Sequence, residues 1–387
     1  MQARLIWHLD LDCFFVSAMR LSNPSLRNRP VAVGGGGPRG VVSSASYEAR
    51  KYGVRSAMPT ARALKLCKTL VLVPGDYELF SKLSRQVFDI AARYAPVVEQ
   101  TGIDEGYLDM TGSETLFGPP LEAGRKLRAE VLKETGLTIS IGMGANRMVA
   151  KVATDFCKPD NMHLVESGTE AKFLEPLEVG RLPGCGRVTQ RWLADRDLKT
   201  IGQLQRYPVD VLERHLGSFG THLHEMAWGK GSVEFHEEAK TRSISRETTF
   251  SADLDDEREL KQILWGMASE LGAELRSEGA YARALRLKLR YPPFDTVTRS
   301  RVLEAPTHGD QAIFAAICEL FDDHWEERAP LRLIGMGCVL GEGSRQLGLF
   351  EDVRREARLD TIDALKDKIR SKFGNRALST GRDRNTD

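Results

Sequence analysis

Thr101-Gly102-Ile103-Asp104-Glu105-Gly106-Tyr107-Leu108-Asp109 sets two adjacent carboxylates inside an otherwise strand-like apolar run. Two neighbouring acids make poor sense in a core strand unless a cation binds them, and a divalent metal is the obvious candidate. Successive residues of a strand point to opposite faces, so Asp104 and Glu105 cannot clasp one ion by themselves. The pair predicts a third ligand and a strand end, where the pleat relaxes. That third acid stands at Asp10, in His8-Leu9-Asp10-Leu11-Asp12-Cys13-Phe14-Phe15, where acids again interrupt an apolar run beside an aromatic pair.

The 387-residue chain is 41% apolar and 28% charged, ordinary for a globular protein and long enough for two to four domains. Its formal net charge of +1 says nothing about nucleic acid, so basic patches have to be sought locally. Cys13, Cys67, Cys157, Cys185, Cys318 and Cys338 contain no Cys-x-x-Cys pair. That argues against a disulfide framework or a zinc site and for free thiols in a reducing cytoplasm. Asp10 and Asp12 break the first apolar run and no uncharged stretch approaches transmembrane length, so neither export nor a membrane is expected.

Residues 4–15 read as a strand in which Leu5, Trp7, Leu9 and Leu11 alternate with Ile6, His8, Asp10 and Asp12, placing both acids on one face. Asp12 either caps a helix beginning near Ser17 or supports the ligands. Gly34-Gly35-Gly36-Gly37-Pro38 reads as a turn, because no Lys-Ser/Thr and no helix follow directly. In a helix Tyr47–Lys51, Tyr47 and Arg50 share a face where a phenol and a guanidinium can meet phosphates; a solvated surface helix is the alternative. Residues 76–95 form an amphipathic helix burying Leu79, Leu83, Val87, Ile90 and Ala91. A strand through Val97-Val98-Glu99 and its partner Tyr107-Leu108-Asp109-Met110 make a hairpin around the paired acids. After a helix near Leu121–Glu134, Leu137 to Asn146 reads as a strand, a glycine turn and a helix. A lone Gly-x-Gly with no acidic strand end about twenty residues on does not make a dinucleotide site.

From residue 166 short helices and tight turns take over. Leu182-Pro183-Gly184-Cys185-Gly186-Arg187-Val188, followed by a helix through Trp192, resembles a helix-hairpin-helix. Its glycines let the amides around Gly184, Gly186 and Arg187 face a DNA phosphate without reading sequence. His215, His222 and His224 have no evident Cys or carboxylate partner and read as helix-surface histidines. Lys230 to Lys240 look like a linker. Beyond it lies a second α/β unit, with strands near 243–250, 284–291, 296–303 and 334–340 and helices near 257–277 and 310–323. Leu285, Leu287 and Leu289 alternate with Arg286, Lys288 and Arg290, leaving one strand face cationic. Arg299 and Arg301 share a face of the next strand; with Arg242 and Arg246 these cations suit a surface that tracks phosphates. A merely solvated sheet face is the alternative. The body ends at Gln346-Leu347-Gly348-Leu349-Phe350, and from Asp360 an amphipathic helix with Ile362, Leu365, Ile369 and Phe373 on one stripe runs to Gly374.

From about residue 4 to about 350 these stretches together resemble the Y-family DNA polymerases, the translesion enzymes, and most closely their DinB branch. The resemblance implies an α/β (α+β) right-hand polymerase. Its parts are a ferredoxin-like palm (1–18 and 76–165), small fingers (19–75), a helical helix-hairpin-helix thumb (166–232), a linker (233–241) and a βαββαβ-like, DNA-binding little finger (242–345). A tail (346–387) opens with a clamp-binding peptide. It also implies two Mg²⁺ ions, or Mn²⁺ in their place, held by Asp10, Asp104, Glu105 and the Leu11 carbonyl. One activates the primer 3′-hydroxyl and the other holds the triphosphate and its leaving pyrophosphate. By the same resemblance Phe15 lies beneath the nucleotide sugar and excludes a 2′-hydroxyl, a plain core Phe being the alternative. Phe14, Ser44, Tyr47, Arg50 and Lys158 of Lys158-Pro159 meet the nucleotide, and Asp155 supports the ligands. Ser43, Ser44, Ala45 and Ala57 leave room above the nascent pair, and the thumb and little finger grip the duplex. Gln346, Leu347, Leu349 and Phe350 dock on a sliding clamp, unless they simply pack on the little finger.

The expected function is template-directed addition of dNTPs to primer-template DNA, at low fidelity, by a monomer in the cytoplasm, at the nucleoid. With no second carboxylate cluster, no proofreading is expected. Gly102 and Gly106 depart from the Ser and Ala usual in the family, and a freer backbone there predicts a looser site. That keeps open a catalytically weak or inactive scaffold that binds DNA and clamp. Nucleotidyl cyclases share the two-metal palm but need neither the thumb nor a basic little finger.

Overall fold

A computed structural model describes residues 4–236, 243–341, 353–374 and 377–378, with side chains of the last helix described from 358 onward. Arg242 and Gln346 to Phe350 lie outside the described residues. The chain divides into two units, Met1–Glu238 and Ala239–Asp387.

The strands of the first unit are β1 (Ile6–Leu11), β2 (Val31–Gly34), β3 (Val42–Ala45), β4 (Val71–Val73), β5 (Val97–Gln100), β6 (Glu105–Asp109), β7 (Ile139–Gly144) and β8 (Met162–Leu164). Five of them form a sheet in the order β5-β6-β1-β7-β8, with β1 antiparallel to both neighbours. The central strand is buried on both faces, as a strand with helices on each side must be. Trp7, Leu9 and Leu11 point into the main core with Phe80, Val87 and Ile90 of helix Tyr77–Ala91 and Leu127 and Val131 of helix Pro120–Thr135. Ile6 meets Ala150 of helix Arg147–Cys157 on the other face.

That last helix lies so close to β7 that a Cβ on Gly142 would stand 2.0 Å from the Ala150 carbonyl oxygen and 2.2 Å from the Thr154 nitrogen. Gly142 and Gly144 are therefore strand residues that admit a helix, where the sequence pattern predicts a glycine turn. β2, β3 and β4 make a separate small sheet beside the short helix Tyr47–Lys51. From residue 170 a helical cluster shares one core with Met148, Val149 and Val152 from the back of helix Arg147–Cys157. Residues 231–236, expected to begin a linker, are seated on this unit. Val233 and Phe235 pack against Ile6 and Tyr107, and the Arg147 amide donates to Ser232 O (3.0 Å).

The second unit runs β9 (Ser243–Leu254), helix Glu257–Ser277, β10 (Tyr281–Arg290), β11 (Thr296–Thr307), helix Asp310–His324, β12 (Leu331–Gly341), the expected βαββαβ order. Its antiparallel sheet is ordered β11-β10-β12-β9, and Leu285, Leu287 and Leu289 bury against the two helices.

The final helix, Val353–Phe373, reverses its expected polarity. Ile362, Leu365 and Phe373 are exposed, whereas Asp363 and Lys366 are buried. The helix docks through charge: Lys366 ion-pairs with Asp310, Arg276 reaches Asp310 (3.0 Å) and Asp367 (2.6 Å), and Asp363 accepts from the Asp310 amide (3.1 Å). Asp310 is fully buried and also accepts from Ser269 Oγ at 2.9 Å, so its carboxylate is the hub of the network. Among the described residues no helix is long and apolar enough to cross a membrane.

Removing that hub in Asp310→Ala leaves two buried cations short of a counter-ion and is expected to destabilise the second unit by about 3–5 kcal/mol, read by calorimetry. Adding Lys366→Met should return part of the loss.

Candidate active site

The two acidic stretches meet because β1 and β6 pair with Asp10 opposite Glu105. Glu105 is the first residue of β6, Asp104 precedes it, and the Leu11 amide donates to the Asp104 carbonyl at 2.9 Å. The acids thus sit at the expected strand end. A cleft of about 150 Å³ opens there, lined by Asp10, Leu11, Phe14, Phe15, Ser44, Tyr47, Arg50, Asp104 and Lys158, with Cys13, Ser43 and Ser56. Four separate segments supply it: the β1 exit, the β3–Tyr47 helix region, the turn before β6 and the turn after helix Arg147–Cys157. The family resemblance assigns nine of these residues to one site, and the fold lines one cavity with them.

Glu105 turns aside from the cleft. Lys151 Nζ lies 2.5 Å from its Oε2, and His8 Nε2 stands 3.5 Å from the same oxygen, at the limit of a hydrogen bond. The His8 N–H and the Lys151 ammonium, against the upward pull of burial, hold the Glu105 carboxyl down at about 2. Burial keeps His8 itself neutral, below its ordinary value. Asp10 behaves oppositely. Burial pushes it up to about 7 and Asp104 and Glu105 add to the rise, although Lys158 Nζ is 2.6 Å away and opposes it. Asp104 is raised by burial and then by Glu105. Burial alone would lower Lys158, but Asp10 and Asp155 (3.3 Å) carry it above its usual range.

Among the described residues no three carboxylate, imidazole or thiol groups converge on one point as they stand. Two lysines occupy the acids instead. The donor set nonetheless fits hard divalent cations: three carboxylates on adjoining strand ends, two of them raised by crowding and burial, beside a backbone carbonyl. Neither His8 nor Lys151 stands out from the sequence for this role. The available signal was strand alternation, which puts His8 on the face of Asp10; Lys151 has none, because Lys158 lies past the end of its helix.

Phe15 is half-buried, between the core and the cleft. One ring face stacks on Phe80, centroids 4.4 Å apart, while the side chain still lines the cleft. The Arg50 guanidinium lies 4.9 Å from the Tyr47 ring centroid and its Nε donates to Ala45 O at 3.0 Å, so the two residues share a face as the helical spacing predicts. Asp12 caps no helix: the N-cap of Phe14–Ser22 is Cys13, with no side-chain cap. Its carboxylate accepts from Ser140, Tyr47 and the Asp160 amide.

Gly106 does not loosen the site. A Cβ there would lie 2.6 Å from Phe88 Cε1 and 2.9 Å from Glu99 O, so glycine lets helix Tyr77–Ala91 close on the hairpin. Gly102 has nothing nearer than Glu105 Cγ at 3.3 Å.

The helix-hairpin-helix stretch places Gly184, at φ 79°, and Gly186, the N-cap of helix Arg187–Ala194, on the surface, with Arg187 exposed beside them. His215 Nδ1 and His224 Nε2 pair with the carbonyl oxygens of Val211 and Gln205, as structural histidines do. In the second unit Arg286, Lys288 and Arg290 occupy the sheet face away from the helices, Lys288 meeting Glu247 at 2.5 Å. Arg299 and Arg301 do not join them. They pair in register with Leu287 and Leu285 and so point to the helix side, where Arg301 meets Glu319 and Asp323. Arg246, opposite buried Met336, likewise turns to Glu270 and Glu274.

Comparison with known proteins agrees with this arrangement. Residues 9–155 match the impB/mucB/samB family, residues 241–349 its C-terminal domain, and residues 180–230 the thumb domain described for DNA polymerase-iota. A Y-family DNA polymerase chimera of known structure superposes with a TM-score of 0.76 at 22% identity, over 87% of this chain and 98% of that one, which defines the fold as that of a Y-family polymerase. A DNA polymerase IV from Dehalococcoides mccartyi is 37% identical over 99% of this chain and 98% of its own length. Another, from Caulobacter vibrioides, is 36% identical over 97% and 93%. The chain belongs to the Y-family DNA polymerases, in their DNA polymerase IV group.

Gly106→Ala, the residue usual in the family, is expected to cost about 1–3 kcal/mol in urea unfolding, because Phe88 and a strand carbonyl must move, whereas Gly102→Ser stays near neutral. The Asp10 carboxyl holds its proton more tightly in the folded chain than in an unfolded one, so its own contribution to metal-free stability is full below 3.8 and is lost as pH rises through about 7. Asp10→Asn should therefore raise the Tm of the metal-free protein near pH 8, with the gain vanishing near pH 4.

Proposed function

We propose that the cleft at Asp10, Asp104 and Glu105 adds deoxynucleotides to a primer 3′-hydroxyl on a template strand, and that the chain acts as a translesion polymerase without proofreading. The observation that carries this reading is the convergence of nine cleft residues from four segments around one cavity. Asp10, Asp104, Glu105 and the Leu11 carbonyl would hold two Mg²⁺ ions, with Mn²⁺ able to replace them; bound there, they supply Lewis acidity to the hydroxyl and phosphates.

The chain's own groups do the rest. Arg50 and Tyr47 meet the distal phosphates from one wall and Lys158 from the other, Ser44 donates a hydrogen bond between them, and Phe14 and Phe15 form the floor under base and sugar. Lys158 leaves Asp10 as it turns to the nucleotide. The Phe15 ring, backed by Phe80, cannot retreat from a 2′-hydroxyl and so rejects ribonucleotides. Arg286, Lys288 and Arg290 on the open sheet face, and the amides at Gly184, Gly186 and Arg187, hold the backbone of DNA without reading sequence. Gln346, Leu347, Leu349 and Phe350 dock on a sliding clamp. Leu349→Ala with Phe350→Ala should abolish stimulation by clamp while basal extension and Tm persist; loss of Tm with an unchanged clamp response would make the stretch core.

Primer extension with four dNTPs and Mg²⁺ on an abasic or minor-groove-adducted template tests the whole reading, and no incorporation would overturn it. Asp104→Ala or Glu105→Ala should lower extension about a thousandfold or more while leaving gel-shift affinity for DNA intact. Phe15→Ala should raise ribonucleotide insertion by about tenfold or more, measured against the matching dNTP.

A further inference from the structure

Asp12 is only 3% exposed, and a carboxylate so deep needs donors on both oxygens. It finds them on three separate elements. Ser140 Oγ of β7 donates to Oδ1 at 2.9 Å, the Tyr47 hydroxyl approaches the same oxygen at 3.4 Å, and the Asp160 amide donates to Oδ2 at 2.8 Å. Tyr47 opens the helix that carries Arg50; Asp160 follows Lys158 by two residues. One carboxylate therefore joins both walls of the cleft. Asp160 holds a left-handed backbone, φ 46°, that residues other than glycine seldom adopt, so a fixed acceptor for its amide sets the course of the turn bearing Lys158. Arg128 grips the outer side of the same residue, 2.5 Å from its Oδ1, leaving Asp12 as the inner hold.

We propose that Asp12 is a positioning residue that fastens the Tyr47–Arg50 helix to the Lys158–Asp160 turn, so that both walls meet the nucleotide's phosphates in one preformed geometry. The proposal rests on the reading of Tyr47, Arg50 and Lys158 as phosphate ligands. Asp12 touches no substrate itself; it acts through the groups it holds. Its chemistry predicts a selective lesion. In Asp12→Asn the amide oxygen must stay with the Asp160 N–H, which can only donate. The NH₂ then faces the hydroxyls of Ser140 and Tyr47, and the Tyr47 hydroxyl loses its acceptor.

Single-turnover incorporation titrated with dNTP tests this. Asp12→Asn is expected to raise the half-saturating dNTP about tenfold, the loss of one charge-assisted hydrogen bond, while the maximal rate falls less than about threefold and DNA affinity and Tm hold. The effects of Tyr47→Phe and Asp12→Asn should be less than multiplicative in the double variant, because both remove the same Tyr47–Asp12 bond. Lys158→Met and Arg50→Ala serve as controls. If neither raises the half-saturating dNTP, the phosphate reading of the cleft fails. If they do and Asp12→Asn does not, the positioning role alone is overturned. A fall in Tm with equal losses of rate and DNA binding would make Asp12 a folding residue and also overturn it. Should Asp12→Asn not fold, a double-mutant cycle between Tyr47→Phe and Lys158→Met decides: coupling above about threefold supports the proposal, and additivity overturns it.

Discussion

The pairing of β1 with β6 in the register that sets Asp10 opposite Glu105 is the constraint on which the first unit depends. A slip of one residue would send every side chain of β6 to the other face. In the observed register the two faces of the hairpin make different demands. On one side Tyr107 and His8 meet edge to face, 4.7 Å between centroids, beneath helix Arg147–Cys157, and carry Glu105 with them. On the other, Gly106 vacates space for Phe88. The acids are held between two packed layers that can move little, which suits groups whose task is to bind cations in a fixed arrangement.

Much of this was legible in the chain. Interrupted apolar runs at Asp10 and at Asp104-Glu105 mark strand ends, and the three-residue spacing of Tyr47 and Arg50 places them on one helical face, because period and polarity are local properties. What failed was relational. Alternation shows that Arg299 and Arg301 share a face, but only the register of β11 on β10 decides that it is the face of Leu285 and Leu287. Gly142 and Gly144 read as a turn because a strand glycine and a turn glycine look alike until the partner helix is in place. The last helix misleads for a similar reason. An apolar stripe predicts the buried face when burial is driven by apolar area, and here Asp310 and Arg276 offer charge instead.

A common economy runs through both units. Three lysines near the cleft or on the open sheet face already have acidic partners, Lys158 with Asp10, Lys151 with Glu105 and Lys288 with Glu247, whereas Arg50, Arg286 and Arg290 donate to neutral oxygens of Ala45, Ser300 and Thr296. Lys158 and Lys288 must give up these acids before they can meet a phosphate. Binding then exchanges one counter-ion for another. The gain in each exchange is smaller than for an unpaired lysine, while the metal-free cleft is spared the full repulsion of three crowded acids.

The polarity of helix Val353–Phe373 carries a thermodynamic signature. Burial of apolar surface is what gives protein transitions their large heat-capacity change, and polar surface contributes with the opposite sign. A helix seated on Asp310, Arg276 and Ser269 through Asp363, Lys366 and Asp367, with Ile362, Leu365 and Phe373 facing water, detaches with little change in heat capacity. Its release therefore has an enthalpy nearly independent of temperature, and the curved stability profile of the second unit belongs to the β-sheet core and its two covering helices.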